Sequence, residues 1–404
     1  MTQSAQDLRP RFRVACVTGT NGKTTTTSLI EAIVREAGEI PARITTLGAW
    51  VDGEQLSDEA TPEAFELAIA RAADVGAKTL AIETTSQALQ KGFAAMFPAD
   101  VAIFTNLTRD HLDAHGTLEE YLAAKAQLFL HARGCVVLNA ADEASVLLRE
   151  IVPEGVGVRW YAARPTQVDA PLDLSASVVA ASRAGTRVTL APSADASLLG
   201  GELSLAMVGG VHAENALAAA EAGLALGFAP DVIRRALERF PGVPGRFMRV
   251  SEAPLGIVDY AHTPDALLRT LTLARDLVAP DGRVLVAFGC GGDRDEGKRP
   301  EMGEVAARLA DVVALTSDNP RNEDPEAILD AIAAGVGEGK ATVLRISDRR
   351  AAIERIVSLA RPSDIVVVAG KGHEVVQVVG NQAFPFDDAR VLADAVQDKK
   401  GIET

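Results

Sequence analysis

The sequence lacks an excess of basic residues, a long apolar run and closely spaced cysteines. Of its 404 residues, 40 are Lys or Arg and 55 are Asp or Glu, which gives a formal net charge of −15. Binding to nucleic-acid phosphates requires a basic surface, so this composition excludes a nucleic-acid partner. The three cysteines, Cys16, Cys135 and Cys290, have no metal-binding spacing and are predicted to be buried thiols in a reducing compartment. Without a membrane-length apolar run or a signal-peptide core, the chain is predicted to be cytoplasmic and to have no membrane partner.

A glycine-broken turn joins a strand to a helix in VACVTGTNGKTTTTSLIEAIV, residues 14–34. Backbone N–H groups at a helix N-terminus bind anions, glycines allow close approach, a lysine reaches the outer phosphates and a threonine holds Mg²⁺. Val17 stands where the standard pattern has its first glycine, so this is a shortened variant. The alternative, a structural turn with a chance Gly-Lys pair, is disfavoured by the strand before it and the amphipathic helix after it. The residues predicted to contact the nucleotide here are Gly19, Thr20, Asn21, Gly22, Lys23, Thr24 and Thr25.

Short apolar runs alternate with helical patterns along most of the chain. This alternation predicts an α/β fold with a largely parallel sheet, interrupted by a small antiparallel meander within residues 172–208. The prolines and glycines of FPGVPGRF, residues 240–247, predict a hinge between a first domain, residues 1–244, and a second, residues 245–404. Four later strands end in polar, glycine-rich residues, which is where open α/β sheets bind ligands. The predicted fold is therefore a P-loop domain with a parallel sheet, followed by a second α/β domain.

A lysine interrupts the apolar face predicted for the helix TLEEYLAAKAQLFLH, residues 117–131. At 3.6 residues per turn, Lys125 falls in the middle of an apolar stripe, which consists of Leu118, Tyr121, Leu122, Leu128 and Phe129. A buried ammonium group is costly and tends to lose its proton. In one interpretation its stem packs while its amine reaches solvent, which is easier from the edge of a stripe. The central position favours the other interpretation, a lysine inside a site with anions or metal.

Candidate ligands for Mg²⁺ lie at two strand ends before this helix. Glu83 ends the strand TLAIE, and His111 follows the run AIFTNLTRD. Because the carboxyl ends of parallel strands meet at one edge, a carboxylate, an imidazole and the Thr24 hydroxyl would gather Mg²⁺ near the phosphates. A lone histidine is more often structural than a ligand, so that alternative stays open for His111.

Eight motifs follow one another from about residue 13 to the C-terminus: GTNGKTT, TNLTRDHLDAHG, YLAAKAQLF, GRF, DYAHTPDAL, FGCGGDRDEGKRP, SDNPR and AGKGHE. Together they resemble the Mur ligases, above all the members that add the third residue to UDP-N-acetylmuramyl-dipeptide in peptidoglycan assembly. Mur ligases use ATP to phosphorylate a carboxylate, and an incoming amine displaces the phosphate to form an amide. The resemblance implies an ATP- and Mg²⁺-dependent ligase with a central ATP-binding domain and a Rossmann-like C-terminal domain that binds the amino acid.

The resemblance also implies roles for single residues. It places Lys23 and Thr24 on the phosphates and one Mg²⁺, Glu83 on the metals and His111 on the second Mg²⁺. In this family the lysine that matches Lys125 is carbamylated, and such a lysine is an anion suited to a place beside Mg²⁺. The implied catalytic residues are thus Lys23, Glu83, His111 and Lys125, and the further nucleotide contacts are Asn215, Arg246, Asp259 and His262. His212 replaces a usual asparagine, which leaves its role open.

The resemblance extends to the site for the amine substrate. In members that select meso-diaminopimelate, the arginine of DNPR binds the distal carboxylate, helped by a second arginine and the GKGHE loop. The matching residues are Arg294, Asp318, Asn319, Arg321, Gly370 and Glu374. A guanidinium binds a carboxylate as a fork, and a carboxylate binds an ammonium, so the chemistry fits. The alternative is that Arg321 only caps a loop.

The acceptor side departs from the family pattern. Family members begin with a further domain that binds UDP, whereas about a dozen residues precede the first strand here. TTP reads ATP at residues 60–62, EVSSH reads ETTSQ at residues 83–87, and Lys91 and Phe93 stand where the family has a glutamine and an arginine. We therefore expect a smaller carboxylate acceptor without UDP. The acceptor site is predicted to include Thr61, Thr85, Ser86, Lys91 and Phe93.

The motifs also bear on other functions. The competing account of the acceptor is a UDP-muramyl ligase whose UDP-binding domain is supplied by a separate protein. A P-loop NTPase of another class would leave the DNPR and GKGHE strand ends without a role. Cyanophycin synthetase and folylpolyglutamate synthetase share the chemistry but do not account for DNPR.

Overall fold

The computed structural model describes residues 3–108, 116–169, 171–337 and 340–403. It divides into two compact units, Met1–Pro241 and Gly242–Thr404. Within the described ranges the first unit has an 11-stranded sheet, and the second has a 6-stranded sheet and a two-stranded hairpin. Helices connect the parallel strands of both sheets. The predicted fold class, a P-loop α/β domain followed by a Rossmann-like α/β domain, is confirmed.

The first unit alternates strands and helices from its first residues. Its strands are β1 (Arg13–Thr18), β2 (Pro41–Thr45), β3 (Gly48–Val51), β4 (Glu54–Ser57), β5 (Thr79–Glu83), β6 (Val101–Phe104), β7 (Cys135–Asn139), β8 (Gly157–Ala162), β9 (Leu174–Ser182), β10 (Gly185–Leu190) and β11 (Glu202–Leu205). Its described helices are α1 (Gln3–Leu8), α2 (Lys23–Glu36), α3 (Pro62–Val75), α4 (Ser86–Gln90), α5 (Phe93–Met96), α6 (Leu118–Leu130), α7 (Ala144–Glu150), α8 (Ala194–Leu198), α9 (Gly210–Ala225) and α10 (Pro230–Arg239). The strand order is β11-β10-β9-β8-β7-β6-β1-β5-β2-β3-β4.

The centre of this sheet brings the glycine-rich turn and Glu83 to one edge. β1 pairs in parallel with β5 and β6, and Val17 of β1 lies opposite Glu83 of β5. Val17 and Ala81 belong to the apolar core on the α2 and α9 side, whereas Cys16 and Ile82 belong to the core on the opposite face. Burial on both faces explains why these central strands are continuous apolar runs in the sequence.

Antiparallel strands form both ends of the sheet. β9, β10 and β11 form the meander predicted within residues 172–208, and β9 extends the parallel part by pairing with β8. At the other end, β2, β3 and β4 form a second antiparallel set, which was not predicted from the sequence. These strands have only four or five residues each, too few to show a clear period.

Helix α6 carries the lysine that the sequence pattern singled out. Its first turn is closed by a capping box, in which Thr117 accepts from the Glu120 N–H and Glu120 accepts from the Thr117 N–H. Tyr121 and Lys125 are each only 1% exposed. Leu118 is 41% exposed, so its assignment to the buried stripe was wrong. It is the first helical residue, and it lies on the solvent side of the capped turn.

The second unit is built around parallel strands that share one carboxyl edge. Its strands are β12 (Met248–Glu252), β13 (Leu255–Asp259), β14 (Val284–Phe288), β15 (Val312–Leu315), β16 (Thr342–Arg345), β17 (Ile365–Ala369), β18 (Val376–Val379) and β19 (Gln382–Pro385). Its described helices are α11 (Pro264–Leu277), α12 (Lys298–Leu309), α13 (Pro325–Ala333), α14 (Arg349–Leu359) and α15 (Asp388–Glu403). The main sheet has the order β12-β13-β17-β14-β15-β16, and only β12 is antiparallel. In the described parts of both units, no helix is long and apolar enough to cross a membrane.

Candidate active site

The glycine-rich turn of the first unit has a backbone that only glycine fits. Gly22 precedes α2 with φ 87°, and Gly19 has φ 150°. A Cβ at Gly19 would lie 1.9 Å from Thr105 Oγ1, and one at Gly22 would lie 2.4 Å from Asn215 Oδ1. The turn therefore leads into the N-terminus of a 14-residue helix with its backbone tightly enclosed. This is the geometry of an anion-binding turn.

The segment after β6 holds this turn in place. The Thr20 N–H donates to the Asn106 carbonyl at 2.8 Å, and the Asn21 N–H donates to Asn106 Oδ1 at 2.9 Å. Thr105 Oγ1 donates to the Asn21 carbonyl at 2.6 Å. Thr105 and Asn106 begin the motif TNLTRDHLDAHG, but no role was predicted for them. A polar pair directly after an apolar strand was the available signal.

Two lysines converge on the carbonyl of Gly19. Lys23 Nζ donates to the carbonyls of Gly19 at 3.1 Å and Thr20 at 2.7 Å. Lys125 Nζ donates to the Gly19 carbonyl at 2.7 Å and lies 4.0 Å from the centre of the Tyr121 ring. Since Lys125 is buried, its amine does not reach solvent. The interpretation in which only the stem of the lysine packs is therefore excluded. Its carbamylation stays a prediction.

Glu83 lies beside the first turn of α2. Thr24 Oγ1 donates to Glu83 Oε2 at 2.8 Å, and the Thr46 N–H donates to the same oxygen at 3.2 Å. Thr24 and Glu83 are both buried. A hydroxyl and a carboxylate in contact are hard oxygen ligands, which suit Mg²⁺.

The residues present fit a Mg²⁺ ion that is shared with phosphate and water. No three His, Cys, Asp or Glu side chains cluster as a metal site in the parts of the chain that the structure describes. Mg²⁺ commonly takes one or two carboxylates and completes its shell with phosphate oxygens and water. Thr24 and Glu83 meet that requirement. His111, the predicted ligand of a second Mg²⁺, lies outside the described residues.

Helix α9 brings two further buried polar side chains toward the turn. Asn215 accepts from Thr26 Oγ1 at 3.4 Å and lies directly over Gly22. His212, one turn earlier, is 4% exposed, and its Nδ1 has no hydrogen-bond partner among the described residues. Burial lowers the pKa of His212 to about 4. The imidazole is therefore neutral at physiological pH.

The predicted acceptor residues lie on α3, α4 and α5. The Thr61 and Thr85 side chains accept from the N–H groups of Ala64 and Ala88, which caps α3 and α4. Ser86 is buried and Lys91, at the end of α4, is exposed. The ring of Phe93 is half-buried and packs edge-on against Phe65 at 5.4 Å, beside Phe97 at 6.1 Å. Two of the five residues thus have a capping role, and Phe93 has a packing role.

The nucleotide contacts expected from the second unit lie where β12 begins and the antiparallel β13 ends. The Arg246 guanidinium stacks 4.3 Å from the centre of the Tyr260 ring, and His262 Nδ1 lies 2.9 Å from the Tyr260 carbonyl oxygen. Asp259 Oδ2 accepts from the Phe247 N–H at 2.6 Å, and Oδ1 accepts from Thr270 Oγ1 at 2.8 Å. Burial raises the pKa of Asp259, although these hydrogen bonds oppose the effect. The structure thus gives Asp259 a role in shaping this strand end.

The loops after β15 and β17 meet at the carboxyl edge of the second sheet. The Asn319 amide donates to Glu374 Oε2 at 2.8 Å, while Lys371 Nζ donates to Asn319 Oδ1 at 2.9 Å and to Glu374 Oε2 at 3.0 Å. Burial would raise the pKa of Glu374, but Lys371 and Asn319 outweigh it and hold the pKa below its ordinary value. Glu374 is therefore a fixed carboxylate. Lys371, fully buried, was not among the predicted site residues.

Arginines from two loops flank the same edge. Arg321 has φ 50°, and its Nη1 donates to the Gly292 carbonyl at 2.8 Å. A Cβ at Gly291 would lie 3.0 Å from Arg321 Nη1 and 3.6 Å from Cγ of the exposed Arg294. Gly370 is also tightly enclosed, because a Cβ at this position would lie 2.5 Å from an oxygen of Asp318. Burial raises the pKa of Asp318, and the charges of Arg349 and Lys371 oppose this without reversing it.

Comparison with known families decides the classification. The model of the Mur ligase middle domain matches residues 17–223, and that of the Mur ligase glutamate ligase domain matches residues 245–372. The chain belongs to the Mur ligase family. Mur ligases are ATP-dependent, amide-bond-forming enzymes that use Mg²⁺, so the predicted family, enzyme class and cofactors are confirmed.

Several relatives of this Mur ligase share one enzyme name. UDP-N-acetylmuramoyl-L-alanyl-D-glutamate–2,6-diaminopimelate ligase of Trichormus variabilis is 41% identical over 97% of this chain and 78% of its own length. The enzyme of that name from Geobacillus kaustophilus is 40% identical over 96% of this chain and 80% of its own length. These identities confirm the predicted closeness to the peptidoglycan-related members.

Solved structures show the same fold. A structure of a UDP-N-acetylmuramoyl-L-alanyl-D-glutamate–2,6-diaminopimelate ligase superposes with a TM-score of 0.69 at 33% identity, covering 96% of this chain and 79% of that one. Mycobacterium tuberculosis folylpolyglutamate synthase, in complex with ADP, gives a TM-score of 0.73 at 20% identity, over 91% and 89% of the two chains. The second likeness concerns the fold alone.

Proposed function

We propose that this Mur ligase joins a carboxylate acceptor to 2,6-diaminopimelate through an acyl-phosphate. An acceptor carboxylate oxygen attacks the γ-phosphorus of ATP and ADP leaves; the amine then attacks the acyl carbon and phosphate leaves. In this proposal residues 1–244 bind ATP and residues 245–404 bind the amine.

The three cysteines are free, in agreement with a reducing compartment such as the cytoplasm.

The proposed roles in the first unit follow from the enclosed turn. Backbone N–H groups at the start of α2 bind the phosphates, and Lys23, already 2.7 Å from the Thr20 carbonyl, turns its amine to the outer phosphates. Thr24 and Glu83 hold Mg²⁺, which neutralises phosphate charge when it is bound. Lys125, as its carbamate, and His111 are the other residues proposed for the Mg²⁺ site. Asn215, Arg246, Asp259 and His262 are the proposed further contacts of the nucleotide.

The observation that carries the proposed amine is the charge pattern at the carboxyl edge of the second sheet. A carboxylate, Glu374, is fixed by Asn319 and Lys371, while Arg294 and Arg321 approach Gly291 in the adjacent loops. A substrate with both an ammonium and a carboxylate at its distal end matches this pattern. Diaminopimelate has both groups, whereas lysine lacks the distal carboxylate. The names of the relatives, which include 2,6-diaminopimelate, support the same substrate.

For the acceptor, we propose a carboxylate smaller than UDP-N-acetylmuramyl-dipeptide. The support is chemical: Lys91 is exposed at the end of α4, and Phe93, two residues later, has a half-buried ring. A cation and an apolar ring suit an acceptor with an anionic and an apolar group. A second candidate is the UDP-linked dipeptide itself, with or without a separate acceptor-binding protein. The identity of about 40% to ligases named for that substrate favours it.

Steady-state kinetics with the two amines tests the proposed amine site. An arginine–carboxylate fork contributes about 1.5–3 kcal/mol, so we expect kcat/KM for meso-diaminopimelate to exceed that for L-lysine by about tenfold to a hundredfold. Arg321→Lys keeps the charge but loses the fork, and it should remove most of this preference. Arg308→Lys, at an exposed arginine of α12, is the matched control and should keep it. Equal efficiency with both amines in the wild-type enzyme would contradict the proposal.

Phosphate release tests the acceptor. ATP and meso-diaminopimelate are combined with UDP-N-acetylmuramyl-dipeptide, with L-alanyl-D-glutamate or with simple N-acyl amino acids. We expect turnover with a small acceptor and little with the UDP-linked one. Turnover of the UDP-linked substrate by this chain alone at ordinary ligase rates, roughly 1–10³ per second, would refute the small acceptor and support the second candidate.

A further inference from the structure

A fully buried ion pair lies behind the amine-binding edge of the second unit. Arg349, the first residue of α14, and Asp388, the first residue of α15, both have side chains with no solvent exposure. Arg349 Nε donates to Asp388 Oδ1 at 2.8 Å, and Nη2 donates to Oδ2 at 2.7 Å. The two hydrogen bonds form a fork, the geometry that fixes a guanidinium most firmly.

The remaining donors of the same guanidinium reach two strand ends. Nη2 donates to the carbonyl of Ala369, the last residue of β17, at 3.0 Å. Nη1 donates to the carbonyl of Ser317, two residues beyond β15, at 3.2 Å. β14 lies between β15 and β17 in the sheet, so these strands do not hydrogen-bond each other. One side chain therefore connects two loops that the sheet leaves independent.

Both connected loops lead directly into proposed amine-binding residues. Asp318 follows Ser317, and Gly370 follows Ala369. The loops touch there, since a Cβ at Gly370 would lie 2.5 Å from Asp318 Oδ2. Asn319 and Glu374 then hydrogen-bond across the gap at 2.8 Å. A change in the separation of the two loops would thus displace Asn319, Arg321 and Glu374 relative to one another.

We infer that Arg349, held by Asp388, is a positioning residue that sets the spacing of the 316–321 and 370–374 loops and thereby the affinity for the amine. This inference rests on the proposed amine site. Arg349 itself does not touch the substrate. Its effect is exerted through the two carbonyls that it holds and through its charge facing Asp318.

The test replaces the pair by apolar side chains of similar size, Arg349→Met with Asp388→Leu, in the full chain. Replacing a buried ion pair by apolar residues is often neutral for stability, whereas removing one partner is not. The control is Arg283→Met with Asp364→Leu, a pair whose aspartate is equally buried and whose arginine is 30% exposed. That pair joins β14 and β17 at their opposite, amino ends, with Nη2 to Oδ2 at 2.8 Å. Arg349→Lys, which keeps the charge but loses the fork, is used if the double variant does not fold.

Two measurements are made on each variant: amine and ATP kinetics, and hydrogen exchange of backbone amides. A displacement of the order of 1 Å costs up to about a hundredfold in rate, so we expect kcat/KM for meso-diaminopimelate to fall about tenfold or more. Because the inference concerns binding of the amine, the fall should come from a rise in its KM. KM for ATP should stay unchanged, as should both constants in the control. Exchange should rise in residues 316–321 and 370–374 while that of β14 stays as in the wild type.

The outcomes separate this inference from the function on which it rests. An unchanged KM for the amine together with unchanged exchange in the two loops would refute the positioning role. If the wild-type enzyme does not use diaminopimelate, the proposed substrate is wrong, and the exchange measurement still decides whether Arg349 fixes the loops. A loss of protection throughout the second unit in both pairs would mean a general role in stability and would also overturn the inference.

Discussion

Replacing His212 by asparagine should flatten the dependence of stability on pH in the acid range. His212 is 4% exposed, and its Nδ1 has no partner in the described part of the chain. Burial lowers the pKa of His212 from 6.5 to about 4. Between these two values the unfolded chain binds a proton at this position and the folded chain does not. Folding stability therefore rises with pH in this window, and it falls as the pH drops from 6.5 toward 4.

The size of the effect follows from the same two pKa values. One pKa unit corresponds to about 1.4 kcal/mol, so the full contribution lost on acidification is about 3 kcal/mol. This is a large part of the roughly 5–15 kcal/mol that stabilises an ordinary protein. His212→Asn removes the titrating group while keeping a polar side chain, so the variant should lack this part of the slope.

Urea unfolding followed by circular dichroism at several pH values from 4 to 7.5 measures the effect. The relevant quantity is the difference in unfolding free energy between variant and wild type at each pH, because other titrating groups then cancel. His131→Asn is the matched control, since His131 is exposed at the end of α6. A difference for His212→Asn that does not change with pH would show that the imidazole is not buried as a neutral group.

Three further predictions concern the first unit. Lys125→Ala should nearly abolish turnover, because the amine at the Gly19 carbonyl is lost with its carbamate, and millimolar bicarbonate or a short carboxylic acid should partly restore it; wild-type activity in the variant would contradict the metal role. Gly22→Ala should weaken ATP binding in calorimetry, because its Cβ would lie 2.4 Å from Asn215 Oδ1 and displace that side chain, a proposed nucleotide contact. Gly53→Ala, at a similar φ of 81° and with no atom within 4 Å, should bind ATP normally, and equal binding by the two variants would show that the enclosure is unimportant. Glu83→Gln should raise the Mg²⁺ concentration for half-maximal activity about tenfold or more, since hydrogen bonds to charged groups contribute roughly 1.5–3 kcal/mol; an unchanged Mg²⁺ titration would remove Glu83 from the metal site.

Much of the fold followed from periodicity and composition. Alternating apolar runs and helical patterns indicated an α/β chain, and the parallel centre with its antiparallel meander confirmed this. The placement of Lys125 followed from its position on one helix face. The short strands β2 to β4 were missed because four or five residues show no clear period. Leu118 was misplaced because a periodic stripe does not reveal which end of a helix leaves the core.

Some residues of the proposed site could be predicted from the sequence, and others could not. The glycine-rich turn and the strand-end motifs are recognisable because their residues are neighbours in the chain. Thr105 and Asn106, which enclose the turn, are 84 and 85 positions from Asn21, and no local pattern connects them to it. Phe93 was assigned to the acceptor by its place in a motif, yet its ring also packs against Phe65 from another helix.

The sequence by itself determined which chemistry this Mur ligase can perform, because a phosphate-binding turn and charged strand ends are encoded by short runs of residue types. Only the tertiary structure decided how those residues are held. Arg349 and Asp388 are 39 positions apart, and Lys371 meets Asn319 across 52. Such contacts depend on the order of strands in the sheet and on burial, which arise when distant segments pack and cannot be read from the neighbours of a residue along the chain.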